Sequence, residues 1–445
     1  MNTLQDFPTH DIAIAANVHP SRRLGTIDAR KHTLYDVMMN TGLDDFSMAE
    51  RWAIFHDWQQ SMLQYQIAHY QRVALNGCGT ERMIMDPATQ NVSAVINFAS
   101  NDYLNMSCHP AVMNAAIEAI AQYGTGAGAA CNASGQTKIK QELEREIADT
   151  FGYEKALVFS SGYATNTGVL SGLLRSNDVA IVDMLAHASI MDGVENRNKM
   201  LFRHNDMASL ETVLRRASDR FANKIVVVDG VYSMDGDIAN LPEIAALCKK
   251  YNALLMVDEA HAFGVIGKHG LGILDHFNMP ADSIDILVGT LSKSVGSSGG
   301  FVAGSKELIH YLEFAARSYL FSTGPFVASC AAALASIKII REDTARRQRL
   351  WNNIRAFRSM AIVTGFDMGR AETAIIPIIL ANHNKVLEVT RVMGNNGVLV
   401  NGIPYPVVSR KQTRIRMTIT SEMTTAHIHQ GFCCLTDAID NYEMF

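Results

Sequence analysis

Several features that would fix a protein's class at once are missing from this 445-residue sequence. No apolar run reaches the length of a membrane span; the longest candidate, FVASCAAALASIKII, is short and rich in small residues. The N-terminal stretch MNTLQDFPTHDIAIAANVHPSRR has no basic segment followed by an apolar one, so no secretory leader is expected and a cytoplasmic location is. Positive charge is not in surplus. The 39 Lys and Arg against 44 Asp and Glu give a net charge of −5, which offers no footprint for nucleic acid or an anionic membrane surface. Cysteine is sparse and irregular: Cys78, Cys108, Cys131, Cys248, Cys330, Cys433 and Cys434 form no CxxC pair, which argues against a disulfide framework and against a zinc or other metal site. Internal repeats and low-complexity linkers are lacking too.

Apolar residues make up 48% of the chain and charged ones 19%, the balance of a globular protein with a large core. From about Val95 onward, short β-branched runs alternate with helical patterns: AVINFAS, ALVFSS, VAIVD, KIVVVDG, ALLMVDE, IDILVGT and GFVAG. This βαβ rhythm predicts an α/β fold with a mostly parallel sheet covered by helices on both faces. After Phe326 two long helices, shorter strands (AIIPIIL, GVLVN, RIRMTIT) and a closing helix predict a smaller α+β domain. Three regions are therefore expected: an N-terminal extension over 1–95, a large domain over 96–325 and a small C-terminal domain over 326–445. Within the extension, Ser47 and Glu50 fit a capping box, and Phe55, Trp58, Met62 and Tyr65 follow at helical spacing. Such a stripe is ordinarily a face packed on the rest of the protein or on a second subunit; a surface for lipid is the alternative.

The chemistry-bearing residues cluster where strands are expected to end. ALLMVDEAH ends an apolar run in Asp258, with His261 three residues on, and ligands of open parallel sheets sit beyond the carboxyl ends of strands. IDILVGTLSK delivers Lys293 to the same edge, followed by SVGSSGG. Taken singly, each residue has an ordinary structural explanation. Together, a strand-end lysine and a carboxylate match the needs of pyridoxal phosphate, one to form a Schiff base and the other to keep a pyridine nitrogen protonated. ALVFSSGYATNTG, a strand running through Ser161, Gly162 and Tyr163 into a helix start, offers N–H groups and a helix dipole to a phosphate. His187 in VDMLAHASIMDG lies just past another strand, placed to stack on a ring.

With these residues assembled, the chain resembles the α-oxoamine synthases, pyridoxal-phosphate-dependent acyltransferases of fold type I. The motifs NFASNDYL, FSSGYATN, HASIMDG, FRHNDM, GVYSMDGD, DEAHAFGVIGKHGLG, GTLSKSVGSSGG, FSTGP and TRIRMTIT follow the family's order from about Asn97 onward. FRHND, GVYSM, GTLSKSVG and RRQRLWNNIRA look most like the bacterial serine palmitoyltransferase branch. The resemblance implies that Lys293 carries the cofactor and moves the Cα proton, that Asp258 pairs with the pyridinium, and that His187 stacks on the ring. It places His261 and Ser233 near the phenolic oxygen, gives Ser161, Gly162, Tyr163 and Thr290 to the phosphate, and brings Ser322 or Thr323 from a second subunit. A homodimer with shared active sites is implied in turn. Arg416, with help from Asn101, would meet the substrate carboxylate.

Departures from the family fall at Cys131, Gly135-Gln136, Lys140, Asp229 and Met423, several in segments expected to shape the substrate entrance. The implied reaction is a decarboxylative condensation of a small amino acid, L-serine favoured, with a long-chain acyl donor on CoA or an acyl carrier protein, giving a 3-keto sphingoid-type base. Cysteate is an alternative because Arg416 and Lys140 would also suit a second anion; glycine or alanine with a shorter acyl-CoA is another. Aminotransfer or simple decarboxylation ranks lower, and a non-catalytic subunit is disfavoured by the presence of Lys293. A lipid product would bring peripheral membrane contact at release.

Overall fold

In the computed structural model, residues 27–443 are described, apart from 40, 66, 68–71 and 88, so the N-terminal stretch MNTLQDFPTHDIAIAANVHPSRR, for which no secretory leader is expected, lies outside the described residues. Short apolar runs form a seven-stranded sheet: β1 (Lys155–Phe159), β2 (Asp178–Asp183), β3 (Asn198–Phe202), β4 (Asn223–Asp229), β5 (Leu254–Asp258), β6 (Ile286–Thr290) and β7 (Gly300–Gly304). Their order across the sheet is β1-β7-β6-β5-β4-β2-β3. The strands β3, β2, β4, β5 and β6 run parallel, while β7 is antiparallel to both β1 and β6. The reversal follows from the chain: the connection 291–299 carries no helix and is too short for a parallel crossover.

Alternate residues of each strand feed two cores, one on either face. In β5, Leu255 and Val257 enter one cluster and Met256 the other. Burial on both faces explains why these strands read as continuous apolar runs. The edge strand β3, NKMLF, is half exposed and was not anticipated from the sequence.

AVINFAS does not join the large sheet as expected. Val92–Asn97 pairs antiparallel with Glu81–Met85 and parallel with Val398–Leu399, because its partners come from the hairpin before it and from the C-terminal region. The helix Val327–Glu342, expected in the small domain, packs on Pro110–Tyr123 and Lys138–Phe151, and so bridges to the large sheet. Beyond it, Ile375–Ile379, Arg414–Thr418 and Asn401–Ile403 form a separate antiparallel sheet.

The helix Met48–Gln64 begins at Ser47 with both bonds of the capping box in place. Trp58 and Met62 are buried with Ile27, Val37, Leu43 and Ile54 in a small cluster of their own, against which Phe55, Tyr65 and Leu387 pack. The stripe is thus an internal packing face. No helix among the described residues is long and apolar enough to cross a membrane.

Candidate active site

Parallel strands bring three carboxylates to one edge. Asp183 ends β2, Asp229 ends β4 and Asp258 ends β5, and Asp229 and Asp258 are direct register partners. Burial raises the Asp229 carboxyl well above the ordinary range, and the neighbouring Asp258 charge adds to this. Asp258 is held by two donors: Nδ2 of Asn166 reaches Oδ2 at 2.7 Å and the Ala260 N–H reaches Oδ1 at 2.9 Å. Asn166 also donates to Ser189 Oγ at 2.9 Å, which fixes its orientation.

Lys293 follows β6, and its Nζ lies 2.7 Å from His261 Nε2. Burial pushes the Lys293 ammonium down to about 8, against the opposing pull of Asp258 and Asp229. On the far side of the imidazole, Nδ1 is 2.6 Å from the hydroxyl of Tyr103, a residue with no exposed surface. Arg416 reaches this neighbourhood from the small sheet, where it pairs with Pro377 and Asn401. It is buried, donates through Nη2 to Asn101 Oδ1 at 3.0 Å, and leaves Nε without a hydrogen-bond partner.

His187 caps the helix Ala188–Gly193, with Nδ1 2.8 Å from Ser189 Oγ and its ring edge-on to Tyr163 at 6.4 Å. Burial lowers its pKa, and the Asp258 charge works the other way. Opposite, the helix Gly162–Leu173 starts at Ser161, whose hydroxyl accepts from the Ala164 N–H at 3.0 Å. A Cβ at Gly162 would lie 3.0 Å from both Cβ and Oγ1 of Thr290, so a larger residue there would crowd the close approach of this helix start to β6.

These elements enclose a cavity of about 240 Å³ lined by Ser161, Gly162, Tyr163, His187, Asp258, His261, Thr290 and Lys293, as the sequence led one to expect, together with Asn166, Ser189, Asp229 and Ser292. A larger cleft of about 890 Å³ lies at the opposite, amino-terminal edge of the strands and contains none of these groups. Ser233, Asn101 and Arg416 stand outside the cavity lining, the last two linked to it through Tyr103 and His261. Ser322 and Thr323 lie away from the cavity of their own chain, at a bridge between Thr323 and Ala130. Asn166, Ser189, Ser292 and Tyr103 are not singled out by the motifs, although each sits inside one: FSSGYATN, HASIMDG, GTLSKSVGSSGG and NFASNDYL.

Lys140 does not serve as a free cation. It is 1% exposed, and its Nζ is bound by Glu144 Oε1 at 2.5 Å, Gln136 Oε1 at 3.1 Å and Tyr319 OH at 3.3 Å. Its charge is already compensated, which removes the reason for expecting a second substrate anion there. Cys131 and Met423 are buried as well.

Behind the cavity, His204 is clamped between Asp183, 3.0 Å from Nδ1, and Asp237, 2.9 Å from Nε2. Burial opposes the charged ring, but the two carboxylate hydrogen bonds outweigh it and push the pKa up to about 10 from 6.5. A raised folded-state pKa contributes stability that is complete below 6.5 and is lost as pH climbs through about 10. The denaturant midpoint of the wild type is therefore expected to fall more steeply between neutral pH and pH 10 than that of His204→Gln, which urea titrations at several pH values would measure.

The residues present fit pyridoxal phosphate. A glycine-fronted helix start beside the Thr290 and Ser292 hydroxyls suits a phosphate, Asp258 is an oriented carboxylate for a pyridinium, and Lys293 is a desolvated amine between them.

Comparison with known proteins agrees with this fit. The family described as aminotransferase class I and II matches residues 93–432. An 8-amino-7-oxononanoate synthase of Thermoanaerobacter pseudethanolicus is 44% identical over 332 residues, covering 74% of this chain and 84% of that protein. A serine palmitoyltransferase structure with pyridoxal phosphate superimposes with a TM-score of 0.84 at 29% identity, covering 90% of this chain and all of the other. An 8-amino-7-oxononanoate synthase from Francisella tularensis gives 0.68 at 27% identity, covering 79% and 99%.

Proposed function

The chain belongs to the class I and II aminotransferase family, within it to the α-oxoamine synthases, and uses pyridoxal phosphate; we propose that it condenses L-serine with a long-chain acyl thioester, losing carbon dioxide. Bound pyridoxal phosphate supplies an aldehyde for the substrate amine and a protonated ring that withdraws electrons from Cα. Everything else is the work of the chain. Asp258, oriented by Asn166 and the Ala260 N–H, is the carboxylate that would pair with the ring nitrogen. Arg416 and Asn101 bind the amino-acid carboxylate, for which the unpaired Nε of Arg416 is a ready donor. Lys293, an amine with a pKa near 8, takes the Cα proton and returns one after decarboxylation. His187 would pack over the ring face, and Ser161, Gly162, Tyr163 and Thr290 would hold the phosphate, joined by Ser322 or Thr323 of the partner copy in a homodimer.

The observation that carries the choice of serine and a long acyl chain is the extent of the fold match: the likeness to serine palmitoyltransferase covers 90% of this chain, including part of the N-terminal extension. A second reading has its own support in the 44% identity to an 8-amino-7-oxononanoate synthase. That product name describes a nine-carbon acid with an amine on its eighth carbon and a ketone on its seventh, which alanine and a seven-carbon dicarboxylic thioester would give on loss of carbon dioxide. Cysteate loses the support expected from Lys140, which is paired with Glu144, and keeps only that of Arg416.

Purified enzyme offered serine, alanine, glycine or cysteate, each with palmitoyl-CoA and with a heptanedioyl thioester, distinguishes these readings by product mass. Serine with palmitoyl-CoA is expected to give the dominant product. Preference for alanine with the dicarboxylic donor would replace the first reading by the second, and product from glycine alone would remove both.

A further inference from the structure

Motif reasoning gave no role to Tyr103, yet it is one of the largest fully buried side chains in the protein. Its hydroxyl stands 2.6 Å from His261 Nδ1, and the other ring nitrogen, Nε2, is 2.7 Å from Lys293 Nζ. The file Tyr103, His261, Lys293 therefore runs from the small-domain side of the site, where Arg416 binds Asn101, to the reactive amine.

We propose that Tyr103 is a positioning residue: its hydroxyl donates to Nδ1 of His261 and fixes the imidazole in the tautomer that carries its proton on Nε2, facing Nζ of Lys293.

The direction of the donation follows from the partners. A phenol has one proton, and the Arg416 guanidinium that also faces Tyr103 can only donate, so it occupies the oxygen as an acceptor and leaves the proton for Nδ1. The imidazole itself is uncharged: it is fully buried, and the charges that face it, Lys293 and Arg416, together with His187, all oppose a further positive charge. A neutral ring that accepts at Nδ1 must carry its hydrogen at Nε2. Above the Lys293 pKa of about 8, where the amine is uncharged, that hydrogen points at its lone pair and favours the form that can add to a carbonyl or take a proton. Asp258 and Asp229 pull Lys293 the other way, toward its ammonium, while Arg416 opposes them. The Nε2–H donor adds to the side that keeps the amine neutral. With the nitrogen of Lys293 engaged elsewhere, the same Nε2–H remains a fixed donor into the cavity. The inference concerns only the state of these groups and holds for any amino-acid or acyl substrate.

The test is long-range proton–nitrogen NMR on the full-length chain labelled with 15N-histidine, with the His261 signals assigned by their loss in His261→Asn. In the cofactor-free protein at about pH 9, above the Lys293 pKa of about 8, the wild type is expected to show a single neutral Nε2–H ring for His261. In Tyr103→Phe, which keeps the ring and removes the hydroxyl, the signals should shift to Nδ1–H or to a mixture of tautomers. In the cofactor-free protein, the pH midpoint for acetylation of Lys293, followed by peptide mass spectrometry, should rise by about one unit in the same variant. A residue that merely fills space would lower the melting temperature and leave the tautomer and the midpoint where they were. A wild-type Nδ1–H ring would overturn the proposal even if the variant did not fold, and so would an unchanged tautomer in a folded Tyr103→Phe.

Discussion

Lys293→Ala is expected to fold, to dimerise and to lose turnover by at least about 10³-fold, within the range that a positioned base and covalent catalyst contribute together. The side chain is half-buried in a loop that makes its structural bonds through the backbone, with Gly296 N–H donating to Lys293 O at 2.8 Å, so truncation removes the amine and little else. Two effects are lost at once: the nucleophile that holds the cofactor and the base that moves the Cα proton. With the pKa near 8, only about a tenth of the lysine is neutral at pH 7, so wild-type turnover should rise with pH through about 8. An added primary amine should restore part of the rate in Lys293→Ala and abolish that dependence on the lysine. Borohydride treatment in the presence of pyridoxal phosphate should tag the Lys293 peptide of the wild type and no peptide of the variant.

The second large effect is expected at Arg416. Replacing it with leucine should lower kcat/KM for the amino acid roughly 10²-fold, the worth of about 2–3 kcal/mol for a charge-assisted bond to a carboxylate, chiefly through KM. Stability should change little or rise. The guanidinium is buried with Nε unpaired, and exchanging such a group for an apolar one of similar size removes a desolvation cost. Steady-state kinetics beside thermal melts would separate the two outcomes; a variant that lost activity only because it unfolded would contradict the assignment. Arg416→Lys keeps the charge but not the fork, and should fall between the wild type and leucine.

Much of the site was legible because it lies at the ends of locally encoded strands. An apolar run that stops at Asp258, and another that stops at Thr290 before Lys293, place those side chains at one edge of a parallel sheet whatever the rest of the chain does. What was not legible depends on pairings between distant segments. The Asp183–His204–Asp237 clamp joins three connections that no local pattern relates. Val92–Asn97 reads as one more α/β strand, yet it pairs with Val398–Leu399, some three hundred residues away in sequence. The strand β3 escaped notice because an edge strand keeps only part of its surface buried, and Asn198 and Lys199 break the apolar run. Lys140 was misread although the clue was local: Glu144 follows four residues later on the same helix face, the spacing of an ion pair.

The most direct measurement uses L-serine labelled with 13C in its carboxyl group and palmitoyl-CoA, with released carbon dioxide and free CoA followed together in one reaction. The account predicts one labelled carbon dioxide for each CoA released, with Cα retained in a ketone product and no such turnover in Lys293→Ala. Amino-acid turnover without CoA release, or a product that kept the labelled carboxyl carbon, would contradict it.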